Sequence, residues 1–236
     1  MYLHPKPLAK FVSLIGALAL AGCGAEAPQR DASGAAGSGI EQDLPVMGEQ
    51  QLVLAFGDSL FAGYNVAPNE AYPAKLEAAL RARGENVRVV NAGVSGDTTA
   101  AGAQRIRFTL QNLDGTPDLA IVELGGNDIL RGIDPAQTRA NLRQIMVELQ
   151  SRNIPVLLMG MRAPPNLGFA FQGDFDSIYE DLADEFDADL VPFFLEPVYD
   201  EPDLIQADRV HPTAEGIEEL VAATLDDVED ALPGND

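Results

Sequence analysis

Leu52-Val53-Leu54-Ala55-Phe56 is an unbroken apolar run, and Gly57-Asp58-Ser59-Leu60-Phe61-Ala62-Gly63-Tyr64 follows it directly. A buried strand needs roughly 4–8 apolar residues closed by a turn signal. Gly57-Asp58 is that signal. Ser59 therefore sits where the chain leaves a sheet, at the carboxyl end of the first strand. Open α/β sheets place their ligands there. The Gly-x-Ser-x-Gly elbow of another large hydrolase class is absent, so any case for Ser59 as a nucleophile rests on what else the chain supplies.

Downstream the pattern repeats. A helical stretch from Tyr72 to Arg83 stops at Gly84, and Val87 to Asn91 reads as the second strand. Asp97 or Thr98 caps a helix reaching Asn112. Leu119 to Leu124 is the third strand and ends in Gly125-Gly126-Asn127-Asp128, read as a turn. Pro135 opens an amphipathic helix to Arg152, and Ile154 to Met159 is the fourth strand. Arg162 to Gly173 reads as a loop carrying Phe169 and Phe171. A helix from Asp174 to Phe186 and a fifth strand from Asp189 to Phe194 follow. The last helix starts at Pro212, a residue suited to a first helical position, and runs to Leu232. Regular alternation of this kind predicts right-handed crossovers and an α/β fold, a five-stranded parallel sheet between two layers of helices.

The amino terminus has a different character. Lys6 and Lys10 precede an apolar run from Phe11 to Leu20, too short to span a bilayer. It ends in Leu20-Ala21-Gly22-Cys23, which resembles the lipobox of bacterial lipoproteins. Residues 1–22 then form a signal peptide, and Cys23, the single cysteine, carries lipid at the new amino terminus. Residues 23–50 read as a flexible tether with a typical span of roughly 25–30 Å. The folded domain is expected over residues 51–232. This places it outside the cytoplasm, held to a membrane of the cell envelope by its lipid.

The full chain of 236 residues has 15 basic and 37 acidic side chains, a net charge of -22. Loss of residues 1–22 removes two lysines and no acid. Such a balance has the wrong sign for nucleic acid or for docking on anionic lipid. It also disfavours long-range capture of polyanionic substrates.

The chain has two histidines, and His4 lies in the expected signal peptide, so a histidine base for Ser59 must be His211. Asp208 stands three residues earlier. In a turn leading into a helix, that spacing lets the carboxylate reach imidazole Nδ1 and leaves Nε2 to accept a proton. Donors for a developing oxyanion are the Ser59 N–H, the Gly93 N–H after the second strand and the Asn127 amide after the third. Ser95 is a second serine in a strand-end turn, and helix capping accounts for it. Asp58 is assigned to holding the Ser59 loop. No Cys/His cluster suggests a zinc site, and no metal or cofactor is expected.

Gly57-Asp58-Ser59-Leu60, Asn91-Ala92-Gly93, Gly125-Gly126-Asn127-Asp128 and Asp208-Arg209-Val210-His211-Pro212 together resemble the blocks of the SGNH (GDSL) hydrolases. The similarity is to the branch of lysophospholipase/thioesterase I and bacterial arylesterases. It extends from about Leu52 to Leu225 and includes Met161-Arg162-Ala163-Pro164-Pro165-Asn166. The resemblance implies a flavodoxin-like three-layer αβα sandwich and a serine esterase. Ser59 would attack, with Asp208 and His211 completing the triad and Ser59, Gly93 and Asn127 forming the oxyanion hole. The implied substrates are small carboxylic esters with short- to medium-chain acyl or aryl groups, with lysophospholipids and thioesters as further candidates. A carbohydrate O-acetyl esterase and a non-catalytic envelope-binding lipoprotein are the alternatives. Oligomeric state is not legible.

Overall fold

Residues 46–234 are described by the structure, a computed structural model. The expected signal peptide, Cys23 and the tether up to residue 45 lie outside them. The first strand, β1 (Met47–Gly57), begins earlier than the expected domain edge at residue 51. Met47 pairs with Glu85, and the Asn86 side chain donates to the Gly48 carbonyl at 2.9 Å. The added residues, Met47 to Gln50, are exposed and carry no apolar run, so hydrophobicity gave no sign of them.

The remaining strands are β2 (Glu85–Asn91), β3 (Leu119–Glu123), β4 (Val156–Met159) and β5 (Asp189–Val191). All pair in parallel, in the order β2-β1-β3-β4-β5. The expected five-stranded parallel sheet is present, with the flavodoxin-like strand order. Central strands of such a sheet are covered on both faces. This is why Val53 to Phe56 and Leu119 to Val122 are apolar without alternation and fully buried.

The main helices are α2 (Tyr72–Ala82), α3 (Thr99–Gln111), α5 (Pro135–Gln150), α6 (Phe169–Phe186) and α8 (Ala214–Asp230). Three single turns complete the set: α1 (Ser59–Ala62), α4 (Gly126–Leu130) and α7 (Glu196–Tyr199). α2 packs on α8, while α3, α5 and α6 pack in a row. Right-handed crossovers explain the division. The chain steps one way from β1 to β2 and the other way from there to β5, so the connecting helices fall on opposite faces. The chain reverses its stepping at β1 and β3, and the crevice beyond those strand ends is where a ligand fits.

Several boundaries differ from expectation. α6 begins at Phe169, five residues before Asp174, so Phe169 and Phe171 are helical. Gly168, at φ +88°, turns the chain into it, and Gly173 is tolerated inside it. Gly126-Asn127-Asp128 opens a helical turn rather than forming a simple loop. β5 ends at Val191, because Pro192 has no N–H to continue the ladder. α8 starts at Ala214: Thr213 is its cap, accepting from Gly216 N–H at 3.1 Å. Pro212 precedes the cap and pairs with Ile205 instead.

The α2–α8 contact holds a buried hydroxyl pair. Tyr72 Oη lies 2.6 Å from Thr224 Oγ1. Thr224 already donates to the Leu220 carbonyl at 2.8 Å, so the tyrosine must donate. Thr224→Val would strand that O–H and should cost about 1–3 kcal/mol, whereas Tyr72→Phe removes the donor itself and should cost about 1 kcal/mol. Urea unfolding of both variants and the double variant measures this. The double variant should match Tyr72→Phe, and a Thr224→Val loss no larger than that of Tyr72→Phe would refute the assignment.

Candidate active site

The end of β1 carries the nucleophile candidate. Asp58 caps α1 with Oδ1, accepting from Leu60 N–H at 3.1 Å. Ser59 opens that single helical turn directly after the strand. Ser59 Oγ is 2.8 Å from His211 Nε2, and His211 Nδ1 is 2.8 Å from Asp208 Oδ2. Asp208 Oδ1 also accepts from the Val210 and His211 N–H groups at 3.0 and 3.1 Å. The three residues predicted as a triad therefore meet in one hydrogen-bonded chain. Partial burial pushes the Asp208 carboxyl up. The bonds from the His211 ring and from the two backbone N–H groups outweigh it, and the net position is below the ordinary range. The Tyr64 ring stacks on the imidazole, with centroids 4.2 Å apart. Gln206 Nε2 in turn donates to the Tyr64 and Pro212 carbonyls.

Asn127 enters from the first turn of α4. Its Nδ2 donates one hydrogen to Asp58 Oδ2 at 2.8 Å, which fixes the amide and leaves the second hydrogen for a ligand. Gly93 does not share this arrangement. Its N–H is taken by Asn91 Oδ1 at 2.9 Å, and it does not line the cavity beside Ser59. The glycine at 93 answers a packing demand, since a Cβ there would stand 2.3 Å from Ala62 N. Gly96, three residues on, lines the cavity, and its N–H makes no hydrogen bond among the described residues. Arg131 holds that turn by donating to the Gly96 carbonyl at 2.7 Å. The Gly93 N–H is therefore not available as the expected donor, whereas the Gly96 N–H is, in the same cavity as Ser59 and Asn127. The sequence reading takes Gly93, the first glycine after the strand, and does not weigh Gly96, three residues on. Ser95 is not the cap of α3. Thr98 is, and Ser95 lines the same cavity.

The cavity measures about 1120 Å³. Leu130, Met161, Leu195, Tyr199 and Ile205 give it an apolar wall. Among the described residues no group of three or more His, Cys, Asp or Glu side chains is placed to hold a metal ion.

Beneath the site lies a residue that motif reading passed over. Glu123, at the end of β3, is fully buried. Its Oε2 accepts from Asp58 N–H at 3.2 Å, and its Oε1 has no partner. Burial first, and the Asp58 charge second, push the Glu123 carboxyl well above its ordinary range. Burial raises Asp58 too, and the bonds from Leu60 N–H and the Asn127 amide, which favour its ionised form, offset this only in part. Glu123 is raised the further of the two, so it holds a proton to higher pH than Asp58 does. A lone charged residue in the apolar run Leu119-Ala120-Ile121-Val122-Glu123-Leu124 was the signal available.

The model of the GDSL-like Lipase/Acylhydrolase family matches residues 55–218. The chain belongs to that family. Thioesterase 1/protease 1/lysophospholipase L1 of Escherichia coli K12 is 43% identical over 160 residues, 68% of this chain and 74% of that protein. An arylesterase of Vibrio mimicus is 39% identical over 176 residues, 73% of this chain and 87% of that one. Among solved structures, the SGNH-hydrolase family esterase AlinE4 shares 65% identity and a TM-score of 0.68. That match covers 80% of this hydrolase and all of AlinE4.

The protonated Glu123 has a measurable consequence. An unfolded glutamate loses its proton near pH ~4.3. The folded hydrolase holds that proton to higher pH, so it binds more protons than the unfolded chain across the interval. Stability must then fall as pH rises through it. Glu123→Gln has no proton to lose. From about pH 4.5 to pH 8 the melting temperature of the variant should gain on that of the wild type. Parallel melting curves over this range would contradict the assignment.

Proposed function

We propose that this hydrolase is a serine esterase acting on carboxylic esters with short- to medium-chain acyl or aryl groups through an acyl-enzyme. One observation carries the reading: the 2.8 Å contacts that join Ser59 Oγ to His211 and His211 to Asp208 at the floor of an apolar cavity. His211 Nε2 takes the Ser59 proton as Oγ attacks the ester carbonyl. Asp208 fixes the imidazole tautomer and stabilises the imidazolium. The carbonyl oxygen becomes an oxyanion, supported by the Ser59 and Gly96 N–H groups and by Asn127. The imidazolium then gives its proton to the leaving oxygen, and the C–O bond breaks. Water deacylates the serine by the same route.

Family membership and the esterase, arylesterase and thioesterase names of the relatives support the reaction class. The apolar wall favours acyl chains over sugars, so the carbohydrate esterase alternative is not adopted. A binding-only role leaves the assembled Ser59-His211-Asp208 chain unexplained. Lysophospholipids and thioesters belong to the proposal as substrate classes.

Hydrolysis of p-nitrophenyl acetate through decanoate, with Ser59→Ala as control, tests the reaction. Asn127→Ala should lower kcat by about 10²–10³-fold with little change in KM, as expected of a donor used mainly in the transition state. Asn127→Asp keeps the shape but presents a carboxylate, and should be at least as inactive while folded. A folded Asn127→Asp variant with near-wild-type kcat would remove Asn127 from the oxyanion hole.

We also propose that the protein is extracytoplasmic and lipid-anchored through Cys23, on the strength of Leu20-Ala21-Gly22-Cys23. Wild-type protein should take up radiolabelled palmitate and fractionate with membranes, and Cys23→Ala should do neither. Unlabelled, detergent-free soluble wild-type protein would refute the anchor.

A further inference from the structure

Arg209 stands between the two triad residues Asp208 and His211 and has a left-handed backbone, φ +62°. The triad itself imposes that geometry. Asp208 Oδ1 accepts from the N–H groups of Val210 and His211, and the chain must curl around residue 209 to present both. Glycine adopts this conformation freely, and a side chain makes it costlier. The position nevertheless holds an arginine, and that arginine lines the cavity.

Its guanidinium has no carboxylate or carbonyl partner among the described residues. This is not for want of acids in a chain with 37 of them and 15 basic residues. Arg83, Arg105, Arg107, Arg139, Arg143 and Arg152 each have a carboxylate within 3.2 Å. The other arginine on the cavity wall, Arg162, lies 3.9 Å from Glu196 and over the Phe193 ring. Arg209 is thus a cation on the cavity wall left available for a ligand. Asp200 is the exposed acid that lines the same cavity.

The reaction geometry says which part of the ester it meets. The oxyanion lies toward Ser59, Gly96 and Asn127. The leaving oxygen must lie against His211 Nε2 to receive its proton. The loop that presents His211, with Arg209 in it, therefore borders the leaving-alcohol half. We propose that Arg209 forms a subsite for an anionic group on the leaving alcohol, a carboxylate or a phosphodiester. The inference rests on the esterase reading above. The protein's overall negative charge repels such substrates at long range, so recognition is local and appears in KM.

The test uses two matched pairs of esters with the full chain, Arg209→Gly, Arg209→Gln and Arg209→Lys. One pair is the butyrate ester of para-hydroxybenzoate and the same compound as its neutral methyl ester. The other is lauroyl lysophosphatidylglycerol and neutral monolauroylglycerol. Arg209→Gly relieves the backbone, so loss of fold is not expected, and Arg209→Gln removes charge while keeping bulk. In both, the ratio of kcat/KM for the anionic over the neutral ester should fall about tenfold, through KM, the scale of a lost charge-assisted hydrogen bond at an exposed site. Arg209→Lys should keep most of the ratio. A fall in the first pair identifies a carboxylate, in the second a phosphodiester, and in both a general anion subsite. An unchanged ratio in both pairs overturns the subsite. Absence of Ser59-dependent hydrolysis of the neutral esters by the wild type would instead overturn the esterase reading.

Discussion

The Asp58 carboxylate accepts from Leu60 N–H with one oxygen and from the Asn127 amide with the other. The first bond shapes the turn that presents Ser59. The second orients the Asn127 side chain, proposed above as an oxyanion donor. One buried group thus ties the end of β1 to the end of β3, and the nucleophile and its oxyanion donor cannot shift independently. Asp58 does this best as a carboxylate, because both partners are donors. Burial opposes ionisation, so the surroundings must compensate it.

Glu123 bears on that compensation from below. Its Oε2 receives the Asp58 N–H, and burial with the Asp58 charge pushes its carboxyl well above the ordinary range, which disfavours a second negative charge under the first. The adjoining turn is held as firmly. Tyr179 Oη donates to the Leu124 carbonyl at 2.8 Å. Gly125, at φ +126°, has no Cβ to strike that hydroxyl, which would lie 2.1 Å away. Asp128 is fully buried and accepts from the Thr99 N–H and from the Thr99 and Thr138 hydroxyls. Hydrogen bonds to buried groups in low dielectric are strong, and an unsatisfied group there is costly. Such a network gives the strand-end loops one arrangement, which preorganised donors require.

The base side of the site is built differently. Asp208 and His211 lie on an exposed loop, held by backbone turns, by the Tyr64 stack and by Gln206 rather than by the core. Asp58 and Ser59 are buried, whereas Asp208 is exposed and His211 half-buried. Arg209 belongs to this second side. Its left-handed backbone is the conformational consequence of the Asp208 turn, and its side chain is the local exception to an acidic surface.

The alternation of apolar runs and helical periods determined the parallel sheet, because central strands covered on both faces need continuous apolar residues. His211, the one histidine among the described residues, with Asp208 three residues before it, likewise pointed to the hydrogen-bonded partners of Ser59. Capping chemistry was half legible: Thr98 was one of two residues the pattern allowed, while Thr213 was overlooked in favour of Pro212. Tertiary structure decided the rest. The early start of β1 rests on pairing of exposed residues, which hydropathy does not register. The start of α6 at Phe169 depends on the left-handed turn at Gly168. The choice between Gly93 and Gly96 depended on which amide was already bonded and which glycine was filling space against α1. The protonation of Glu123 followed from burial beside another acid across two strands. None of these is a property of a local stretch. Each depends on which groups from distant parts of the chain are neighbours once the sheet has formed.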